Sequence, residues 1–323
     1  MMTEEQPKGR VAIVGTGLVG SGWAIVFARA GYPVALYDAV PGAAARALVL
    51  IGERLIDLRK AGLTGDPAPI QARITVAGSL KEALAQAIYV QESVYERIDV
   101  KTALMTELDA VIGEETLIGS SSSGIGASHF TEHVACRARC LVAHPVNPPY
   151  LAPIVELVPA PWTAPETVQA VRRLMEDVGQ SPVEMTREAE GFILNRLQGV
   201  LLMEAWRLVE QGLATAEDID KTVSQGLGLR WAFMGPFETI DLNAPGGIAD
   251  YATRLGGLYQ RIAASTSEHR VWDAELIAKV EAQRREHLAA ADLPSRGAWR
   301  DRRLMALARH VQQQDAADLR ADE

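Results

Sequence analysis

Residues 11–20 read Val-Ala-Ile-Val-Gly-Thr-Gly-Leu-Val-Gly, and this stretch decides the fold. Four apolar residues form a short strand pattern. Gly15, Gly17 and Gly20 then follow at the spacing G-x-G-x-x-G, and residues 21–31 continue as an apolar, Ala-containing helix pattern. A second strand pattern over residues 34–37 ends on Asp38. The glycine spacing alone is a weak signal. A strand before it, a helix after it and an acidic residue ending the next strand make it a dinucleotide fingerprint. Gly15 permits the tight turn, Gly17 admits a pyrophosphate close to the backbone, and Gly20 lets helix and strand pack closely. The helix N-terminus at Leu18 and Val19 offers unpaired N–H groups and a partial positive charge to phosphates. Asp38 is placed to accept both adenosine ribose hydroxyls and to repel a 2′-phosphate. The next basic residue is Arg46, eight positions on, so the expected cofactor is NAD rather than NADP. The competing reading is a glycine turn in an unrelated α/β protein.

Outward from this stretch, apolar runs at 11–14, 34–37, 88–91, 117–119, 141–143 and 154–158 alternate with helical stretches that include 20–30, 42–60 and 100–112. That alternation predicts βαβ units and an α/β fold: a Rossmann-type, doubly wound, mainly parallel sheet covered on both faces. After about Val183 the character changes to helix. Residues 192–211 are apolar around most of a helix circumference, which predicts a buried helix. Thr215 is expected to cap the next helix, with Asp218 in its first turn, and Gly226 and Gly228 are expected to end it. Residues 66–69 read as a loop and the polar tail 312–323 as frayed. The expected division is a cofactor-binding domain over 1–188 and an all-helical, substrate-binding domain over 189–323.

The chain has 323 residues, 48% hydrophobic and 23% charged, which suits two soluble domains. The net charge of −9 argues against nucleic acid or an anionic membrane as partner. There is no apolar run of membrane-spanning length, and the acidic, polar start lacks a signal-peptide core, so a cytoplasmic location is expected. Cys136 and Cys140 are expected as reduced residues in or near the core. His129 and His133, four apart, could share a helix face, but no third ligand lies nearby and no metal is expected.

His144 ends one apolar run and Glu156 lies inside the next, with a proline-rich turn between them. A carboxylate beside a histidine fixes its tautomer and favours the imidazolium, which suits a base that takes a hydroxyl proton. On spacing alone, a satisfied core histidine with an unrelated glutamate is as good a reading. Ser120 to Ser123 follow a strand end and face the cofactor crevice or form a plain polar turn. Asn195 interrupts an apolar helix, where it holds a substrate oxygen or ties two helices together.

Segments over the whole chain resemble the L-3-hydroxyacyl-CoA dehydrogenase family: VAIVGTGLVGSGWA (11–24), VQESVYERIDVK (90–101), SSSSGIG (120–126), AHPVNPPYLAPIVELV (143–158), GFILNRL (191–197) and MGPFETID (234–241). The resemblance implies His144 as catalytic base and Glu156 as its acidic partner. It implies that Ser123 and Asn195 bind the substrate oxygens and that Asn147 stands beside the base. Glu96 and Lys101 would line the nicotinamide side of the cleft. It also implies a homodimer. Acyl-CoA enzymes of the family run almost directly from a glycine pair into MGPFE, whereas here Leu229, Arg230, Trp231, Ala232 and Phe233 intervene. The excursion 42–73 carries a single lysine, Lys60, a thin basic patch for a CoA phosphate. Both departures weigh against an acyl-CoA, and the resemblance implies a small 3-hydroxy acid, L-gulonate first; Arg230 either holds its carboxylate or is a surface arginine paired with an acidic neighbour. 3-Hydroxyacyl-CoA and carnitine are the alternatives. A purely structural role would have no need of the Ser123, His144, Glu156 and Asn195 set.

Overall fold

The computed structural model describes residues 8–265 and 272–321. It forms two compact units. The first runs to Arg196 and regains the chain from Ala298; the second is Leu197–Gly297.

The first unit is built on eight strands: β1 (Arg10–Val14), β2 (Val34–Tyr37), β3 (Ile74–Val76), β4 (Ala87–Glu92), β5 (Leu117–Ser120), β6 (Cys140–Pro145), β7 (Ile154–Pro159) and β8 (Ser181–Glu184). Their order in the sheet is β3-β2-β1-β4-β5-β6-β7-β8. Pairing is parallel from β3 through to β6, antiparallel between β6 and β7, and parallel again between β7 and β8. The chain order reverses direction between β1 and β4, the position at which doubly wound sheets open a crevice beyond their strand ends. Valine, isoleucine and leucine fill both faces of the central strands because helices cover both. Ile13 packs into one core cluster with Trp23, Phe27 and Leu55, while Val14 packs into the other with Val90, Ile118 and Phe130.

Two strands lay outside the apolar runs. β3 has three residues, of which only Ile74 is buried. β8 is an edge strand containing Pro182, a residue that suits an edge because it has no N–H for a ladder. The segment 66–69, expected as a loop, instead enters a short helix, Pro67–Gln71. Asp66 caps it and Pro67 takes the first position, where a missing N–H costs nothing.

The second unit is helical. It holds most of the helix Leu194–Glu210, then Ala216–Thr222, Pro236–Leu242, Gly247–Ser265 and Ala274–His287. Thr215 caps as expected: its Oγ1 accepts from Asp218 N at 3.1 Å and donates to Asp218 Oδ2 at 2.7 Å. The glycines do not end this helical run. A π-turn over Val223–Leu227 carries the chain into Gly228–Trp231. A Cβ at residue 228 would stand 3.0 Å from the Val223 carbonyl oxygen, so glycine here allows the wider turn rather than breaking it.

The expectation of a buried helix over 192–211 is also overturned. Only Val209 of Leu194–Glu210 is buried, and Leu197 and Val200 are 63% and 73% exposed. An apolar circumference buries a helix only where there is core enough to receive it. The tail expected to fray is helical, in Leu293–Ala321; residues 322 and 323 lie outside the described residues. Its Ala, Gln, Leu and Arg content favours helix despite its polarity. Met305 of that helix joins the core cluster of Leu55 and Leu58, and Arg309 donates to the Ala61 carbonyl at 3.4 Å.

Candidate active site

The ends of β1, β4, β5 and β6 bring the candidate residues to one rim of the sheet. At the end of β1, Gly15 has φ +90°, and a Cβ there would lie 2.6 Å from the Ser93 backbone. A Cβ at Gly20 would lie 2.0 Å from the Gly15 carbonyl oxygen. Both positions therefore require glycine. Around Gly17 the space is open: a Cβ would meet nothing within 4 Å. The helix Leu18–Arg29 starts there without a side-chain cap. Asp38 Oδ2 accepts from Thr16 N at 2.8 Å and Thr16 Oγ1 at 2.9 Å, and Oδ1 accepts from Val40 N at 2.9 Å.

The serine run is clamped from below and from the side. Ser122 Oγ, Ser123 N and Gly124 N donate to Glu96 Oε1 at 2.9, 2.7 and 2.8 Å, and Ser123 Oγ donates to Glu96 Oε2. Burial pushes the Glu96 carboxyl up, but the Ser123 hydroxyl, the Gly124 N–H and the other donors outweigh it and hold the pKa below the ordinary value. Asn195 Nδ2 donates to the Ser123 carbonyl at 2.6 Å. Beneath the loop lies a fully buried ion pair: Lys101 Nζ reaches Glu92 Oε1 and Oε2 at 2.8 and 2.7 Å, and Ser120 Oγ donates to Glu92 Oε2 at 2.5 Å. Lys101, 1% exposed, is thus a buried partner of Glu92 rather than an open lining residue. The first turn of the helix Ile98–Asp109 sends its side chain inward to a carboxylate that could not be buried alone.

His144 and Glu156 are register partners in the antiparallel β6–β7 pair. His144 Nδ1 lies 2.7 Å from Glu156 Oε2. The other oxygen, Oε1, accepts from Ile193 N at 2.8 Å and Leu194 N at 2.9 Å, the start of the helix Leu194–Glu210. Burial raises the Glu156 pKa, but the His144 side chain and the two N–H groups outweigh it, and the net position is below the ordinary carboxylate range. The carboxylate is therefore the acceptor, Nδ1 carries the hydrogen, and Nε2 is the nitrogen left for proton exchange with a ligand. Asn147 is exposed in the turn after His144. Arg230 belongs to the second unit, is exposed, and forms no ion pair with a described residue.

Comparison with known proteins accounts for both units. Residues 10–189 match the NAD-binding domain of 3-hydroxyacyl-CoA dehydrogenases, and residues 191–285 match their C-terminal domain. The chain belongs to the 3-hydroxyacyl-CoA dehydrogenase family. It is 42% identical over 310 residues to a lambda-crystallin homolog of Bos taurus, covering 93% of this chain and 95% of the relative. It is 41% identical over 270 residues to an L-carnitine dehydrogenase of Streptomyces griseus, covering 82% and 80%. The solved structure of 5-formyl-3-hydroxy-2-methylpyridine 4-carboxylic acid 5-dehydrogenase, an NAD+-dependent dismutase, superimposes with a TM-score of 0.80 at 28% identity, covering 94% of this chain and 98% of that one.

The family's cofactor is NAD, and the residues present fit it. The open space at Gly17 and the uncapped helix start suit a pyrophosphate. Asp38 already accepts three hydrogen bonds, which leaves about one acceptor position for a ribose hydroxyl rather than the two expected, and residues 39–42 carry no basic side chain for a 2′-phosphate. Sequence reading missed two residues of this dehydrogenase site. Glu92 gave a usable signal, a carboxylate ending an apolar strand, which must find a partner. Phe192 gave none. It is fully buried, its ring centroid 5.6 Å from that of His144.

Proposed function

We propose that the chain oxidises the secondary alcohol of a small 3-hydroxy acid, with L-gulonate the first candidate. The observation that carries this reading is the 2.7 Å His144 Nδ1–Glu156 Oε2 pair, with Nε2 uncommitted. His144 Nε2 takes the hydroxyl proton, and Glu156 stabilises the imidazolium formed. NAD, when bound, supplies the hydride acceptor. Ser123 meets the substrate oxygen. Asn195 holds the Ser123 carbonyl and keeps its own amide oxygen for the ligand. Asn147 borders the base, and Arg230, exposed and without a described ion-pair partner, is the carboxylate anchor.

Support for a hydroxy acid over an acyl-CoA comes from the two kinds of relative, lambda-crystallin homologs and L-carnitine dehydrogenases, each matched over most of its length. The helical unit is also the proposed dimerisation surface of a cytoplasmic homodimer. Leu197, Val200, Phe233 and Phe237 are exposed there, more apolar surface than a monomer needs. Among the described residues no helix is long and apolar enough to cross a membrane.

The test is NADH formation on a panel of L-gulonate, 3-hydroxybutyrate, L-carnitine and 3-hydroxybutyryl-CoA. Highest kcat/KM on a free hydroxy acid is expected. Highest kcat/KM on the thioester would overturn the substrate assignment.

A further inference from the structure

The turn that joins β8 to the helix Leu194–Glu210 has an unusual backbone. Gly191 lies at φ +74°, which suits glycine, but Phe192 follows at φ +51°. A bulky L-residue in the left-handed region is strained, and such a conformation persists only where its surroundings impose it. Here two consequences follow from it. The ring of Phe192, 0% exposed, lies against the His144 imidazole with centroids 5.6 Å apart and planes at 55°. The next two N–H groups, of Ile193 and Leu194, both converge on Glu156 Oε1.

We propose that Phe192 is a positioning residue for the His144–Glu156 pair: its left-handed backbone aims the Ile193 and Leu194 N–H groups at Glu156, while its ring holds the His144 imidazole. The proposal rests on His144 acting as the base. It adds that the charge on Glu156 is held not by His144 alone but also by two backbone donors that the turn supplies. Of the strands paired with β7, β6 brings His144 itself opposite Glu156, and β8 brings Glu184, which is ion-paired with Arg172 at 3.1 Å. Glu156 is the only ionisable residue on β7, and residues 191–195 contribute none. The turn therefore contributes two of the donors that favour the charged form of Glu156, and the ring sets where the imidazole points.

These two roles can be separated by substitution. Phe192→Val introduces a β-branched residue, which tolerates positive φ poorly, and removes the ring. Phe192→Leu removes the ring but is less hostile to the turn. Phe192→Tyr keeps both. Steady-state kinetics across pH, melting temperature and amide hydrogen exchange at Ile193 and Leu194 are measured for each, beside His144→Asn. Phe192→Val is expected to lower kcat at least tenfold with KM for NAD within about twofold. The acid limb of its pH–rate profile should rise by about one pH unit, as expected when backbone donors to a carboxylate are lost. Its Ile193 and Leu194 amides should exchange faster. Phe192→Leu should lose kcat with a smaller movement of the acid limb, and Phe192→Tyr should restore wild-type behaviour. If Val and Leu lower only the melting temperature, leaving kcat, acid limb and exchange unchanged, Phe192 is a core filler and the proposal falls. Should Phe192→Val not fold, Phe192→Leu decides on kcat alone, an undiminished value rejecting the ring's role. An active His144→Asn enzyme instead overturns the acid–base reading itself.

Discussion

His144 and Glu156 stand directly opposite one another across β6 and β7, so their 2.7 Å contact is fixed by strand register rather than by a loop. A one-residue slip of either strand would send one side chain to the other face of the sheet. The pair is therefore as rigid as the sheet, which suits groups that must stay aligned through proton transfer.

Removing the base should show in rate and not in cofactor affinity. His144→Asn is expected to cut kcat by roughly 10²–10⁴-fold, the usual worth of general-base catalysis, with NAD affinity almost unchanged. Glu156→Gln should lower kcat and alter the acid limb of the pH–rate profile. The sign for stability follows from the same contacts. Because Glu156 has a depressed pKa in the folded chain, its stabilisation is complete above the ordinary carboxylate range and is lost as pH falls through the lowered value. Acid unfolding of Glu156→Gln, followed by circular dichroism, should therefore depend less on pH in that window. An unchanged dependence would mean the carboxylate is not held as described.

Asp38 should decide between NAD and NADP. Thr16 already engages its Oδ2 twice, at 2.8 and 2.9 Å, which fixes the carboxylate at the end of β2. Asp38→Ser should narrow the ratio of kcat/KM for NAD over NADP by at least about tenfold, the equivalent of one charge-assisted hydrogen bond. Wild-type enzyme that uses both cofactors equally would refute this role.

The Glu92–Lys101 pair gives a stability prediction of unequal size for its single and double variants. Both side chains are within 1% of full burial. Glu92→Ala leaves an unpaired buried ammonium and should cost about 3–5 kcal/mol in urea unfolding. Replacing both residues by methionine should cost much less, because no charge is then stranded. Equal losses for the single and double variants would show that packing, not charge pairing, matters at this place.

The features legible in the sequence were those with a local signature. Six of the eight strands follow from apolar runs, and the glycine turn with Asp38 follows from its spacing. The short edge strands β3 and β8 did not, because their pairing depends on neighbours already in place. The clamp of Glu96 on Ser122, Ser123 and Gly124 joins residues more than 25 positions apart, and nothing in either segment alone predicts it. The positive φ of Phe192 is invisible for a different reason: phenylalanine has no sequence preference for that region, so tertiary packing must impose it. The exposed helix Leu194–Glu210 shows the converse error, in which an apolar pattern was legible but does not bury the helix.

Arg230 provides the sharpest test of substrate charge. It lies in the short helix Gly228–Trp231, directly after the π-turn, and is exposed with no ion pair to a described residue. A small carboxylate substrate needs a counter-charge, and a planar guanidinium can hold it through two parallel hydrogen bonds. Arg230→Met should raise KM for a hydroxy acid by roughly 10–100-fold, the loss expected for charge-assisted hydrogen bonds. Arg230→Lys should recover only part of this, since an ammonium lacks the fork geometry. KM for NAD should stay within about twofold, because the carboxylate this arginine is proposed to hold belongs to the substrate and not to the cofactor. Turnover of 3-hydroxybutyryl-CoA, where it is measurable, should suffer much less, since a thioester presents no carboxylate at that position. If Arg230→Met leaves both substrate types untouched, or harms them equally, the arginine does not read substrate charge. The hydroxy acid would then have to be recognised through Ser123, Asn147 and Asn195 alone, and the acyl-CoA reading would regain its place.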